Sequence, residues 1–295
     1  MSLAPANGAT CFADRAWFGT VTVAENVCLA RDTYRVRFLA PRIAERIVPG
    51  QFVMVRLAGY DDPLLGRPLA LYDTVLGGNG EPIGIDLVYL VTGKLTGKLA
   101  AFTSGQKLDV WGPLGNGFSP QPARHLILVA GGIGQTPFVA MTREALRGRS
   151  YGNSPRMASA ADRVTLCYGA RTVEYLAGIE DFERAGATVR LSTDDGSAGK
   201  HGLVTTLLDE ALAAEADLAE CRVLCCGPEP MMAAVAKLAA RYGVRCEVSL
   251  ETPMACGIGI CFTCVARVRD EQGGWDYRRT CVEGPVFDAR SIFFD

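Results

Sequence analysis

His125 to Leu146 reads HLILVAGGIGQTPFVAMTREAL. The apolar run Leu126 to Ala130 has no polar alternation, so it fits a strand buried on both faces; beyond the glycines the apolar residues recur at helical spacing. Strand, glycine turn and helix form the opening unit of a parallel sheet covered by helices. Thr136 is predicted as the helix N-cap, with Pro137 in the first turn. A helix N-terminus there suits a pyrophosphate, which makes Gly132, Gly134, Thr136 and Pro137 candidate binding residues. Because Pro137 stands where GxGxxG has its third glycine, a plain tight turn remains the competing reading.

Downstream, RVTLCYGA (163–170), ATVRLST (187–193) and RVLCCG (222–227) repeat the buried-strand pattern. Helical stretches LVTTLLDEALAAEA and PMMAAVAKLAARYG separate or follow them. CCGPEPMM puts Cys226, Gly227 and Pro228 on the same carboxyl edge as the first glycine turn, the expected site of a nucleotide crevice. Asp194 and Asp195 follow a strand with no basic cluster to receive a 2′-phosphate, which favours NADH, Arg171 being the exception. GRSYGNSPRMASAAD (148–162) reads as a surface insertion.

Upstream, Trp17 to Phe118 reads as short alternating strands divided by turn residues, the pattern of a small antiparallel barrel or sandwich. Arg67 heads the apolar strand GRPLALYD, where a guanidinium pairs with a phosphate bidentately or is simply a solvated edge charge. The turn Gly93 to Thr96 enters a helical run and offers amides and a hydroxyl to a second phosphate.

The chain has 295 residues with 30 Lys+Arg against 32 Asp+Glu, a net charge of −2. That balance argues against a nucleic-acid or anionic-membrane binder. Glycines and Pro137 interrupt the longest uncharged stretch, His125 to Thr142, so it is no membrane span. MSLAPANGATCFADRAWFG lacks an export signal's basic start and apolar core, and the expected location is cytoplasmic. Eleven cysteines in that setting are thiols, and seven of them are scattered or sit in apolar, strand-like context.

The other four stand as Cys256, Cys261 and Cys264 in ETPMACGIGICFTC, then Cys281. CxxxxCxxC with a distant fourth cysteine is the plant-type [2Fe–2S] spacing. Gly257 and Gly259 let the first gap wrap a compact cluster. A zinc site made of the same four cysteines is the alternative, weakened because Cys281 has no neighbouring cysteine to pair with.

RPLALYD, GKLTGKL, GPLGNGF, GGIGQTPF, CCGPEPMM, the cysteine cluster and CVEGPVFDA occur in one order. With them the chain resembles the electron-transfer subunits of NAD-dependent dihydroorotate dehydrogenase, in the ferredoxin–NADP reductase superfamily. The resemblance spans Trp17 to about Arg290. It implies a multi-domain fold of β and α/β parts: an antiparallel FAD-binding β-barrel (14–121), a parallel-sheet NAD-binding α/β domain (122–245) and a small C-terminal [2Fe–2S] module (246–295).

On matching positions, Arg67, Pro68, Leu69, Ala70, Val88, Tyr89 and Leu90 would line the FAD. Gly93, Leu95 and Thr96 would hold its pyrophosphate, and Gly132 to Pro137 that of NAD(H). Cys226 would lie near the nicotinamide, with the four cysteines as cluster ligands. The family commonly has Ser at Ala70, often a basic residue at Leu90, and Gly at Leu95.

The resemblance also implies a partner, an FMN-containing catalytic subunit that oxidises dihydroorotate to orotate, in a heterotetramer. A flavin is needed between the two-electron nicotinamide and the one-electron cluster. No side chain need act as a general base, and His125 and His201 read as structural or solvated. Rival readings are a similar subunit of a ferredoxin:NAD(P) or of a sulfur- or hydrogen-metabolising oxidoreductase, and a non-catalytic zinc scaffold.

Overall fold

The computed structural model describes residues 16–153, 160–270 and 272–294. Cys11, the first two residues of the expected barrel and residues 154–159 of the expected insertion lie outside them. The N-terminal part is a closed six-stranded antiparallel barrel in the order β1-β2-β5-β4-β3-β6. Its strands are β1 (Trp17–Ala30), β2 (Thr33–Leu39), β3 (Phe52–Leu57), β4 (Arg67–Leu76), β5 (Pro82–Leu90) and β6 (Lys107–Leu114). The short helices α1 (Pro41–Ala44) and α2 (Lys94–Ala100) lie between strands.

A barrel forms rather than a sandwich because β1 is long enough to serve both ends of the sheet. Trp17 to Thr22 pair with β6, and Val23 to Ala30 pair with β2 across a bulge at Val23/Glu25. The bulge bends the strand and closes the sheet. Val21 and Val23 point inward while Thr20 and Thr22 are exposed, and Val36, Phe38, Val53, Val55 and Leu87 fill the interior.

A second sheet follows, built on β7 (His125–Gly131), β8 (Arg163–Ala170), β9 (Thr188–Thr193), β10 (Lys200–His201), β11 (Cys221–Cys226) and β12 (Arg245–Ser249). Its helices are α3 (Phe138–Ala145), α4 (Ile179–Arg184), α5 (Val204–Ala213) and α6 (Glu229–Arg241). The strand order β10-β9-β8-β7-β11-β12 reverses direction between β7 and β11, so a crevice opens at their carboxyl ends. A short hairpin, β13 (Val265–Arg269) with β14 (Trp275–Arg279), precedes β15 (Val286–Asp288).

β15 pairs antiparallel with β12 and completes the seven-stranded sheet. The expected boundary at 245/246 therefore cuts through β12, and the C-terminal module is not self-contained. Its last strand is stabilised by ladder hydrogen bonds that β12 supplies. Thr136 is not a helix N-cap either. Gly132 to Gln135 form a 3₁₀ turn, Pro137 takes the cap position, and no side chain caps α3. His201 lies in the two-residue strand β10 rather than in a loop.

Barrel and sheet meet over an apolar seam in which the Phe118 and Phe138 rings stack at 5.6 Å. A polar knot reinforces it. Asp73 of β4 is buried and accepts from Arg143, from Arg149 at 2.9 Å and from the Tyr151 hydroxyl at 2.7 Å. Tyr72 donates to Asp181 at 2.6 Å. The described start of the expected insertion thus carries a structural clamp, invisible in a sequence where Arg149 and Tyr151 lie more than 70 residues from their partner.

Asp73→Ala removes the shared acceptor of two guanidiniums and a phenol at that seam. It should cost about 3 kcal/mol in urea unfolding, whereas Asp61→Ala on the surface should cost under about 0.5 kcal/mol.

Candidate functional site

A cavity of about 790 Å³ opens where the barrel faces the carboxyl ends of β7 and β11, within the size range of cofactor sites. Arg67 to Ala70, Val88 to Leu90, Gly93, Leu95 and Thr96 line it from the barrel. Thr136, Pro137 and Cys226 line it from the sheet. Residues far apart in the chain, each weak evidence alone, converge on one volume.

Gly132, Gly134, Gly227 and Pro228 are not in its walls. Gly134 instead lets two loops touch: a Cβ there would lie 2.2 Å from the Cys226 carbonyl oxygen. The glycine turn and the CGP segment therefore support each other behind the cavity.

The Arg67 guanidinium donates to the Leu65 carbonyl at 3.2 Å and the Gly66 carbonyl at 3.0 Å, which holds it at the rim. Thr96 turns its hydroxyl back on its own helix, accepting from the Thr92 and Gly93 amides at 3.1 Å each. That hydroxyl is committed to the cap, but helix geometry leaves the first-turn amides of Lys94, Leu95 and Thr96 without intrahelical acceptors. Leu95 needs no glycine-like freedom, since it is helical and buried in the barrel core.

The sequence reading missed the third wall, Ser249 to Ala255 with Thr263. Nothing in ETPMA marks it except its place before the cluster cysteines. Burial raises the Glu251 carboxyl above its usual range; burial, then the Glu251 charge, raises the Cys226 thiol.

The four clustered cysteines gather beside this cavity as two pairs. Cys264 and Cys281 are buried with sulfurs 3.2 Å apart, and the Cys261 thiol contacts Cys256. Among the described residues no three of these sulfurs come within 4.8 Å of one another. One zinc bound at about 2.3 Å would need all four within about 4 Å, so two pairs fit a two-iron cluster better.

Gly257 and Gly259 adopt φ of +72° and +85°, the left-handed turns that wrap the loop. The Ile258 amide donates to the Cys256 sulfur at 3.4 Å, and the Trp111 indole N–H donates to the Cys256 carbonyl at 2.9 Å. The Thr263 hydroxyl donates to the Cys261 sulfur at 3.2 Å and pulls that thiol down to about 6.

Of the seven scattered cysteines, Cys28 is exposed, while Cys167, Cys221, Cys225, Cys226 and Cys246 are buried. Burial lifts the Cys167 and Cys246 thiols to about 12, the behaviour of inert core residues.

Residues 251–293 match the family model described as "Iron-sulfur cluster binding domain of dihydroorotate dehydrogenase B", and 128–237 match "Oxidoreductase NAD-binding domain". The electron transfer subunit of dihydroorotate dehydrogenase B (NAD(+)) from Caldanaerobacter subterraneus subsp. tengcongensis is 31% identical over 94% of this chain and 99% of its own. That from Geobacillus kaustophilus is 35% identical over 92% and 97%. The chain belongs to this family of electron transfer subunits.

The solved structure of an NADH-dependent reduced ferredoxin-NADP oxidoreductase superposes with a TM-score of 0.77 at 28% identity, covering 93% of this chain and 90% of that one. The dihydroorotate dehydrogenase B electron transfer subunit fold is thus ferredoxin reductase-like with an iron–sulfur domain added, and the chain is an oxidoreductase subunit. FAD, a [2Fe–2S] cluster and NAD(H), the set expected from the sequence, are the cofactors of this family and fold. Among the described residues no helix is long and apolar enough to cross a membrane.

His125 is structural, as expected. Its ring lies 2.8 Å from both Glu215 and the Thr165 hydroxyl, at the sheet edge opposite the crevice. Cys221 is also close, but the Arg163 guanidinium already sits on Glu215, so the group is a neutralised ion-pair knot rather than a metal site.

Burial depresses the His125 pKa from 6.5, so the native state holds the neutral ring while the unfolded chain takes a proton. Its contribution is complete above about pH 6.5 and is lost as pH falls below it. Urea midpoints between about pH 7.5 and 5.5 should fall more steeply for the wild type than for His125→Gln. Gly134→Ala should weaken NADH binding about tenfold by displacing the CGP segment, with barrel stability unchanged, measured by fluorescence titration and urea unfolding.

Proposed function

We propose that this chain relays electrons between NAD(H) and an FMN-containing dihydroorotate dehydrogenase catalytic subunit, in a heterotetramer that interconverts dihydroorotate and orotate. The observation that carries the reading is the single cavity shared by the barrel, the nucleotide-edge loops and the cysteine module. FAD, when bound, supplies the exchange between hydride pairs and single electrons.

Arg67 and the first-turn amides of α2 would hold the flavin's diphosphate, while Leu69, Ala70 and Val88 to Leu90 would bracket its rings. Thr136 and Pro137 would position the NAD(H) phosphates, and Cys226 would border the nicotinamide, where its raised pKa keeps it a neutral thiol. Ala70 removes a hydroxyl from the flavin side, which leaves orientation to backbone groups. The carboxylates of Asp194 and Asp195 at the end of β9 favour NADH over NADPH by repelling a 2′-phosphate.

Cys256 and Cys261 would ligate one iron, Cys264 and Cys281 the other. Exposed Ile260 and Phe262 flank exposed Cys261, which makes this the face where the catalytic subunit docks. We place the functional boundaries at 17–121 for the FAD barrel, 122–249 with 286–292 for the nucleotide domain and 250–285 for the cluster module. The ferredoxin-linked neighbour supports a second reading with the same cofactors and a different partner.

NADH added anaerobically to the purified chain should bleach both flavin and iron–sulfur absorption. Cys281→Ser should lose the iron–sulfur bands and keep the flavin bleaching. Co-expression with a dihydroorotate-oxidising FMN subunit should give a complex in which dihydroorotate reduces NAD. A chain that ignores NADH would overturn the relay.

A further inference from the structure

Among the described residues between Cys256 and Cys264, Thr263 alone lines the large cavity. The same side chain donates its hydroxyl proton to the Cys261 sulfur at 3.2 Å. One residue therefore borders the space assigned to the flavin and touches a ligand atom of the neighbouring cluster.

Its orientation is imposed by the loop. Phe262, just before it, sits at φ +56°, a left-handed conformation that an aromatic residue rarely adopts without support. Arg279 supplies that support: its guanidinium lies 5.3 Å from the centre of the Phe262 ring and donates to the Gly259 carbonyl at 3.1 Å. Glu283 steadies Arg279 by accepting from its backbone amide at 2.9 Å. The turn at Phe262 reverses the chain and presents Thr263 between cavity and sulfur.

We propose that Thr263 tunes electron transfer from the flavin by raising the reduction potential of the cluster. A hydrogen bond to a thiolate ligand withdraws electron density from sulfur and favours the more negative, one-electron-reduced state. The hydroxyl keeps its proton throughout, and only an electron moves. Thr263 is a positioning residue, since it acts on the cluster through Cys261.

The experiment is an anaerobic redox titration of the cofactor-loaded chain, following the reduced cluster by electron paramagnetic resonance and the flavin by absorbance. Thr263→Val and Thr263→Ala should each lower the cluster midpoint. The shift should correspond to about a fivefold fall in the reduced-to-oxidised cluster ratio at fixed solution potential, the scale of one modest hydrogen bond. Thr263→Ser, which keeps the donor, should retain the wild-type value, and the flavin midpoint should stay put in all three.

Unchanged cluster midpoints in the Val and Ala variants would overturn the inference. So would failure of both to hold a cluster that Thr263→Ser holds, because Thr263 would then serve assembly rather than tuning. The tuning role rests on the four cysteines being the ligands. A wild-type chain with no cluster signal would defeat that ligand assignment, and the tuning role with it, whereas a normal wild-type signal with unmoved variants defeats the tuning role alone.

Discussion

Asn116 holds the molecule's three parts in register. Its side-chain amide donates to the Val286 carbonyl at 2.8 Å and accepts from the Val286 amide at 3.1 Å, while its backbone amide donates to the Gly284 carbonyl at 2.7 Å. Asn116, two residues past β6, thus acts as a short extra strand for the segment that becomes β15. That segment pairs onward with β12 of the nucleotide sheet. Barrel, sheet and cysteine module are joined within a few residues of one another, so the GPLGNGF and GPVF phrases are the two halves of one clasp.

The clasp matters because electron relay depends on distances that side-chain rearrangement cannot restore once domains drift. Asp73 and its two arginines fix the barrel to the sheet on one side of the cavity. On the other side, Met54, Phe52 and Leu114 of the barrel pack against Cys264, Cys281 and Met254. The inner cysteine pair is therefore part of a small apolar core of its own, whereas Cys261 stays exposed. The cluster site has a dry face toward the barrel and an open face toward solvent, an asymmetry suited to handing electrons outward.

The ion pairs on the sheet's opposite edge have a different purpose. His125, Glu215 and Arg163 close the amino-terminal ends of β7 and β8 with a network in which burial favours the neutral ring of His125. It stabilises the sheet without touching the crevice, so acid sensitivity from this source is separable from chemistry at the carboxyl edge.

Elements whose signal is local were legible in the order of residues alone. The uniform run Leu126 to Ala130 fitted a strand buried on both faces, the CxxxxCxxC spacing suited something compact to wrap, and Arg67 and the Gly93 turn stood out as candidate phosphate-binding residues that the fold then brings to one cavity. What depends on long-range pairing emerged only in the folded chain. Closure of the barrel needed the β1 bulge, and the C-terminal module gave its last strand to the nucleotide sheet because β12 offered an unpaired edge. Gly134 proved to be a contact surface for Cys226 rather than a cavity wall. Glu251 and Thr263 became part of the site only when the chain between Ser249 and Cys264 folded back over the barrel, because a residue's neighbours across a cavity leave no periodic trace in the order of the chain.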